Sequence, residues 1–511
     1  MSKPLMLFTA PVGTRSGYGH HARDIVRTLI DMDRFDIKIM DLRWGGTPRN
    51  ALKTDNPDHV PIIQRILKNN NLQRQPDIHV HLTVPNEYQP IAKYNIGITA
   101  GIETTLCSPE WLQGLNRMNL NIVPSTHVKD VFLKTTWTER EQGTNRPIRQ
   151  LKLERPIEVL FEGTDTDVYH KLNKDSDWPK AVIDEMKNIK TSFNFLFVGH
   201  WLKGDLGQDR KDVGMLVKVF LDSFKGQKNQ PGLILKTSGA GFSVMDREEI
   251  VNRIKTLKGM AGNDNLPPIY LLHGELTDEE MNALYNHPKV KAHITFTKGE
   301  GFGRPLLEAS LSAKPIIASE YSGQLDFLSK PLATLLPGQL TNVHKSAAWD
   351  KVILKESQWF TVNYNYASAV MKDVYKNYQK YELNAKKLAE INKTKFTRDK
   401  MKEEFEKILD KYLPEFPKET SINLPNLPKL KKKGDKAPTV TLPKLGTGTP
   451  DLKKVKLPKL QTLNAEEPNH GSGIKPKDEI PSIKLPKLNM VGSKDDDENG
   501  DAENSDTKNE E

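Results

Sequence analysis

Short apolar runs alternate with helical patterns along most of this 511-residue chain, and the alternation starts twice. That rhythm marks strands linked by crossover helices in a mainly parallel sheet. The first round predicts strands at 5–10, 35–41, 78–82, 96–100 and 121–124, with helices at 20–29, 61–68, 109–117 and 127–133. The run Phe193-Asn194-Phe195-Leu196-Phe197-Val198-Gly199 then begins it again: a buried strand, a polar loop, and a helix at 213–224. Strands at 233–237, 269–273, 292–297 and 315–319 follow, spaced by helices at 247–257, 278–286 and 305–312. The expected class is therefore α/β, with two Rossmann-like domains facing a cleft. Their bounds fall at 1–175 and 176–365, with a hinge near 166–191 and closing helices over 366–415. In the last of these, Met401, Phe405, Ile408, Leu409 and Tyr412 share one face.

Beyond Phe416 the pattern stops, and residues 417–511 contain no Phe, Tyr or Trp. A segment so rich in Lys, Pro, Asp, Asn and Glu buries too little apolar surface to offset the entropy of ordering it. Residues 416–511 are thus expected to form a disordered tail. It repeats Leu-Pro-Lys-Leu from Leu427, Leu442, Leu457 and Leu485, and its end is acidic. The repeats read either as a multivalent docking tail for a protein partner, since linked weak sites gain avidity, or as a solubilising spacer.

The tail carries 17 Lys against 16 acidic residues, so of the net +9 the folded part keeps +8. Such a charge suits a nucleotide diphosphate, an anionic membrane surface or nucleic acid, without choosing among them. The lone cysteine, Cys107, excludes an intrachain disulfide and points to a reducing, cytoplasmic setting. No run of 18 apolar residues is present, and residues 4–11 read as a first strand rather than a leader.

The chemistry concentrates in Thr297-Lys298-Gly299-Glu300-Gly301-Phe302-Gly303-Arg304-Pro305-Leu306-Leu307-Glu308. A strand ends near Thr297, a loop with three glycines follows, and Pro305 sits where the first turn of a helix accepts it. Glycines let the backbone approach a ligand, and a helix start offers free N–H groups to an anion. Glu308 lies one turn into that helix and can face the same cleft as Glu300. Two carboxylates beside an anion site suit sugar hydroxyls, because each accepts hydrogen bonds.

Glu300 and Glu308, with Gly301-Phe302-Gly303 between them, resemble the Glu-x7-Glu motif of retaining glycosyltransferases of family 4, which have the GT-B fold. The resemblance spans about 5–413 and is specific in the second domain. It implies that Glu300 contacts the donor sugar, Glu308 the ribose, and the 301–303 amides the diphosphate. Lys211 matches the family's phosphate-binding lysine with Arg210 beside it, whereas His200 stands where the family has an arginine. Gly17 and Gly19, after the first strand, look like the family's Gly-rich loop, and Glu162-Gly163-Thr164-Asp165 like the segment before the interdomain crossing.

Glu103 and His127 follow strands of the first domain and are candidate acceptor contacts. His79 and His81 share one strand face and read as structural, because no further metal ligand is evident. The resemblance implies transfer of a sugar from a nucleotide diphosphate to a glycan, lipid or protein acceptor. Retention at the anomeric carbon goes with it. The nucleotide sugar is a co-substrate; no other cofactor and no metal is expected. Peripheral membrane contact, common in the family, is open to the basic first domain.

Two alternatives stand beside this reading. One is a DNA-base-modifying glycosyltransferase, allowed by the +8 charge and the basic stretch 140–155. The other is a non-catalytic protein of the same fold that acts through its tail.

Overall fold

The computed structural model describes residues 3–416, apart from 70, 142, 174, 175, 240 and 263, together with 488–490. The Leu-Pro-Lys-Leu repeats beginning at Leu427, Leu442 and Leu457, and the acidic end, lie outside the described residues.

All six residues of β1 (Leu5–Ala10) are buried, as an interior parallel strand requires. It pairs in parallel with β2 (Asp36–Asp41) on one side and β3 (Ile78–Leu82) on the other. Next come β4 (Tyr94–Ile98) and β5 (Leu120–Val123). The chain then leaves through an antiparallel hairpin, β6 (Trp137–Arg140) and β7 (Pro147–Leu151), before β8 (Ile157–Val159) closes the edge. The order is β2-β1-β3-β4-β5-β8.

The crossovers are α1 (Gly17–Asp31), α2 (Val60–Ile63), α3 (Pro109–Arg117) and α4 (Thr126–Lys134). In α1, Ala22, Ile25, Val26 and Leu29 repeat at helical spacing and are fully buried in the first core. The helix starts three residues before the expected 20, because the Ser16 side chain caps it by accepting from the Gly19 amide at 2.9 Å. The helix expected at 61–68 shrinks to α2. Past it the chain joins the edge of β2, where Ile39 N donates to Arg65 O and Leu67 N to Ile39 O, both at 2.8 Å. The unpaired edge outcompeted the helical pattern.

After α5 (Lys180–Lys187), the second sheet repeats the plan with β9 (Asn194–His200), β10 (Gly232–Ser238), β11 (Ile269–Leu272), β12 (Val290–Ile294), β13 (Ile316–Ser319) and β14 (Thr334–Leu336). Its order is β11-β10-β9-β12-β13-β14. Along β9, Phe195 and Phe197 face one core while Leu196 faces the other, so both faces of the sheet are covered. The covering helices are α6 (Val213–Phe224), α7 (Val244–Met260), α8 (Asp278–Asn286) and α9 (Arg304–Ser310).

A second hairpin, β15 (Gly338–Asn342) with β16 (Gln358–Val362), had no counterpart in the sequence reading. Three helices follow: α10 (Tyr364–Lys376), α11 (Tyr378–Lys395) and α12 (Arg398–Tyr412). They divide their allegiance. Ala367, Val370 and Met371 of α10 pack on the second sheet, whereas Met401, Phe405 and Leu409 of α12 return to the first. Of the expected disordered tail, β17 (Leu488–Met490) is described, as a strand antiparallel to β6. No helix among the described residues is long and apolar enough to cross a membrane.

In each sheet the strand order reverses beside the first strand, between β1 and β3 and between β9 and β12. Parallel sheets bind ligands outside the carboxyl ends of their strands at such a point. In the second sheet this sets the loop after β9, which carries Arg210 and Lys211, beside the loop after β12, which carries Glu300.

Candidate functional site

The loop after β12 is tied down before it reaches Glu300. Thr297 Oγ1 donates to Gly299 O at 3.0 Å, and Ser319 Oγ donates to Thr297 O at 2.7 Å. The Glu300 amide donates to Ser322 Oγ at 2.8 Å, and the Gly323 amide to Glu300 O at 3.0 Å. A Cβ at Gly301 would fall 2.0 Å from Ala100 O, so glycine here lets the loops of the two domains touch. Gly303 then takes a φ of +95° and turns the chain into α9, which has Pro305 in its first turn. α9 is short, at seven residues, and beside the free N–H groups of its first turn the site holds side-chain cations.

The cations come from the neighbouring loop. Asp209 anchors its far end, accepting from the Val213 amide at 2.9 Å. Asp212 is fully buried at a left-handed φ of +52°, a conformation that costs a non-glycine residue about 1–2 kcal/mol. It is held by Tyr364 Oη, donating at 2.7 Å, and by the buried Lys298 ammonium at 3.3 Å. The Lys298 amide also donates to Arg210 O at 3.0 Å. Strain retained by so many bonds is typical of functional loops. Its result is that Lys211 and Arg210 reach the domain boundary.

There the Lys211 ammonium pairs with the Glu300 carboxylate, both nearly buried. Arg210 crosses to Glu103 of the first domain. Burial pulls the Lys211 ammonium below its ordinary range, with Glu300 opposing. Burial pushes the Glu103 carboxyl up, a rise that Arg210 and Lys211 only partly offset. The four charges form a neutral quartet of two cations and two carboxylates.

Glu308 meets Arg304, whose Nε donates to it at 2.8 Å. Burial raises the Glu308 carboxyl to about 7, against the pull of Arg304. The same guanidinium bonds Asp24 of α1 and stands 3.9 Å from Glu162. Although burial disfavours its charge, Asp24 is held below the usual carboxylate range by Arg304.

The remaining expected site residues divide. The Phe302 side chain is buried and packs 5.1 Å from the Phe327 ring, which leaves its backbone, the part assigned to the diphosphate, to face the cleft. At Gly19 a Cβ would meet Thr14 O at 2.3 Å, so the turn after β1 requires glycine there. Gly17 is exposed with open space beside it. His200 hydrogen-bonds Ser238 at 3.1 Å, and desolvation, then Arg210 and Lys211, push its imidazole down to about 4. His127 lies in the first turn of α4, its ring edge-on to Tyr321 at 5.0 Å, with a buried Nε2 that has no hydrogen-bond partner among the described residues. Beside it, Ser125 Oγ donates to Gly301 O at 2.6 Å, so this corner touches the glycine loop. His79 bonds Gln89 O at 3.0 Å and Thr9 at 2.9 Å, and His81 accepts from the Gln89 amide at 3.3 Å, as structural histidines do.

Sequence reasoning assigned no role to Arg304 or Asp24. The spacing of Arg304 and Glu308, four apart across the start of the predicted helix, was the available signal for their pairing. Asp24 had none, because its partner lies 280 residues away.

No family model and no curated protein sequence matches the chain. Solved structures do. Alr3699/HepE of Anabaena, in complex with UDP-glucose, aligns at 16% identity with a TM-score of 0.51, covering 80% of this chain and 100% of that one. Sucrose-phosphate synthase (tll1590) from Thermosynechococcus elongatus aligns at 11% identity with a TM-score of 0.52, covering 80% and 98%. At such identities the likeness is one of fold: two Rossmann-like domains in the GT-B arrangement.

Proposed function

We propose that this chain is a glycosyltransferase that moves a sugar from a nucleotide-diphosphate donor to an acceptor, with retention and without a metal. One observation carries the reading: Lys211, Arg210 and Glu300 converge at the switch point of the second sheet, with Glu308 eight residues on. The family 4 resemblance supports it, as does a fold neighbour crystallised with UDP-glucose.

As the glycosidic bond to the donor phosphate breaks, the diphosphate gains negative charge and the sugar gains oxocarbenium character. Lys211 and Arg210 stabilise the departing phosphate from a nearly dry, preorganised position. Glu300 turns from Lys211 to the sugar hydroxyls and orients the ring, while Glu308 accepts the ribose hydroxyls. Contact between the domains excludes water, the competing acceptor. Glu103 and His127, on the first-domain side, are placed for the acceptor.

In the basic stretch 140–155, one arginine pairs with a carboxylate and two donate to backbone carbonyls and keep their charge, so the DNA-modifying alternative stays open to a binding assay. Arg149 is engaged by Glu139 at 2.6 Å, Arg140 by Asn145 O at 3.0 Å and Arg155 by Asn116 O at 3.1 Å.

The test is release of free nucleotide diphosphate from UDP-, GDP- and ADP-sugars, with and without EDTA, and with Glu300→Gln as control. Turnover of one donor, lost in the variant and indifferent to EDTA, is expected. No release from any donor would leave the non-catalytic alternative standing.

A further inference from the structure

Arg304 takes no part in the chemistry proposed above, yet it is the most heavily contested cation at the domain boundary. Its side chain is 10% exposed, and three carboxylates surround it: Glu308 at 2.8 Å, Asp24 in direct contact and Glu162 at 3.9 Å. Glu308 belongs to the second domain; Asp24, on α1, and Glu162, just after β8, belong to the first. The guanidinium divides its donors between them, with Nε on Glu308 and Nη1 on the first-domain pair. A lysine ammonium lacks the rigid planar fork that fixes both directions at once.

We propose that Arg304 is a positioning residue that couples nucleotide binding to the seating of the first domain. It aims the Glu308 carboxylate at the ribose with one edge and holds Asp24 and Glu162 with the other. The inference rests on the reading of Glu308 as the ribose contact.

Two features argue that this link does more than hold the protein together. Buried ion pairs contribute little net stability, because desolvation offsets their attraction, so the cluster is poorly explained as a brace. The other charged bridge near the site, Arg210 to Glu103, uses a side chain assigned to the departing phosphate, so donor binding competes with it. The Arg304 bridge has no such conflict and persists with nucleotide bound. Because coupling is reciprocal, whatever strengthens the seat of the first domain on Arg304 strengthens nucleotide binding by the same factor. The rim contacts nearby, Arg15 to Glu275 at 3.3 Å and His20 to Asp278 at 3.8 Å, touch no residue assigned to the donor.

The experiment is calorimetric titration of the full chain with UDP, GDP and ADP. Wild type, Glu308→Gln, Asp24→Asn, Arg304→Lys and the Arg304→Lys/Asp24→Asn double variant are compared. Asp24 contacts no atom assigned to the nucleotide, and its charge disfavours ionisation of Glu308, so under a purely local role for Arg304 the Asp24→Asn variant binds as well as wild type or better. The expected result is a loss of about tenfold in Asp24→Asn and in Arg304→Lys, with the double variant no weaker than the worse single one. Should Asp24→Asn fail to fold, Glu162→Gln interrogates the same guanidinium and is expected to weaken binding by a smaller factor. If wild type binds and Glu308→Gln weakens it while the Asp24 or Glu162 variant does not, the coupling is wrong and the donor reading stands. Absence of binding to all three nucleotides overturns both.

Discussion

Replacing Lys211 with methionine separates what the Lys211–Glu300 pair does for the fold from what it does for the reaction. The two side chains are 11% and 14% exposed, so they meet largely out of water. Lys211→Met strands the Glu300 carboxylate there, and the nearest other cation, Arg210, is engaged by Glu103. Breaking one side of a buried pair costs about 3 kcal/mol, because the survivor stays desolvated and uncompensated. For a domain of this size, each kcal/mol moves the melting temperature by about 2–4 °C, so a drop of about 6–12 °C is expected in differential scanning calorimetry. Donor turnover, measured as nucleotide diphosphate release, should fall about 100- to 1000-fold, the loss typical of removing one electrostatic contact to developing charge. Adding Glu300→Gln to Lys211→Met removes the orphaned charge. Stability should recover to within about 1 kcal/mol of wild type while turnover stays lost. Recovery of turnover together with stability would show that the lysine acts only on the fold, and an unchanged melting temperature in the single variant would show that the pair is not formed.

Other consequences are open to measurement. Burial raises the Glu308 carboxyl from the ordinary 4.5 to about 7, so folding favours its protonated form, and that stabilisation fades as pH climbs between those values. Nucleotide affinity runs the opposite way: it should strengthen as pH rises through about 7, where Glu308 ionises, and Glu308→Gln should flatten the calorimetric profile. Phe405→Ala should cost about 3–5 kcal/mol in denaturant titration, because this fully buried ring of α12 is part of the first core. Ending the chain after Phe416, which packs against that core, should leave donor turnover intact and abolish capture of the tail's partner in a pull-down. Equal loss of turnover would contradict the separation of tail and catalytic unit.

The parts legible in the sequence were those with a period or a local chemistry. The β9 strand announced itself by an apolar run, and α6 was placed after the polar loop that follows it. The loop from Glu300 to Glu308 was legible because glycines, a proline and two glutamates state their use in a short span. What escaped depended on distant partners. The hairpins β6–β7 and β15–β16 are short ladders whose strands have no buried alternation to betray them, as the largely exposed β7 and β15 show. The motif around Phe302 does not announce that its ring packs into the core beneath, against Phe327. At Gly19 the close approach of the Thr14 and Pro11 backbone, which requires glycine, is set by the folded turn and is not stated by the motif. The bond from Arg304 to Asp24 joins two domains, and no window of sequence contains both.

The account stands or falls on where a nucleotide diphosphate lies. A crystal structure of the chain soaked with UDP, or with whichever nucleotide calorimetry selects, measures this directly. The prediction is phosphate oxygens within hydrogen-bond distance of Lys211 and Arg210, ribose hydroxyls on Glu308, and Glu300 released from Lys211. Nucleotide seated elsewhere, with the Lys211–Glu300 pair intact, would contradict it.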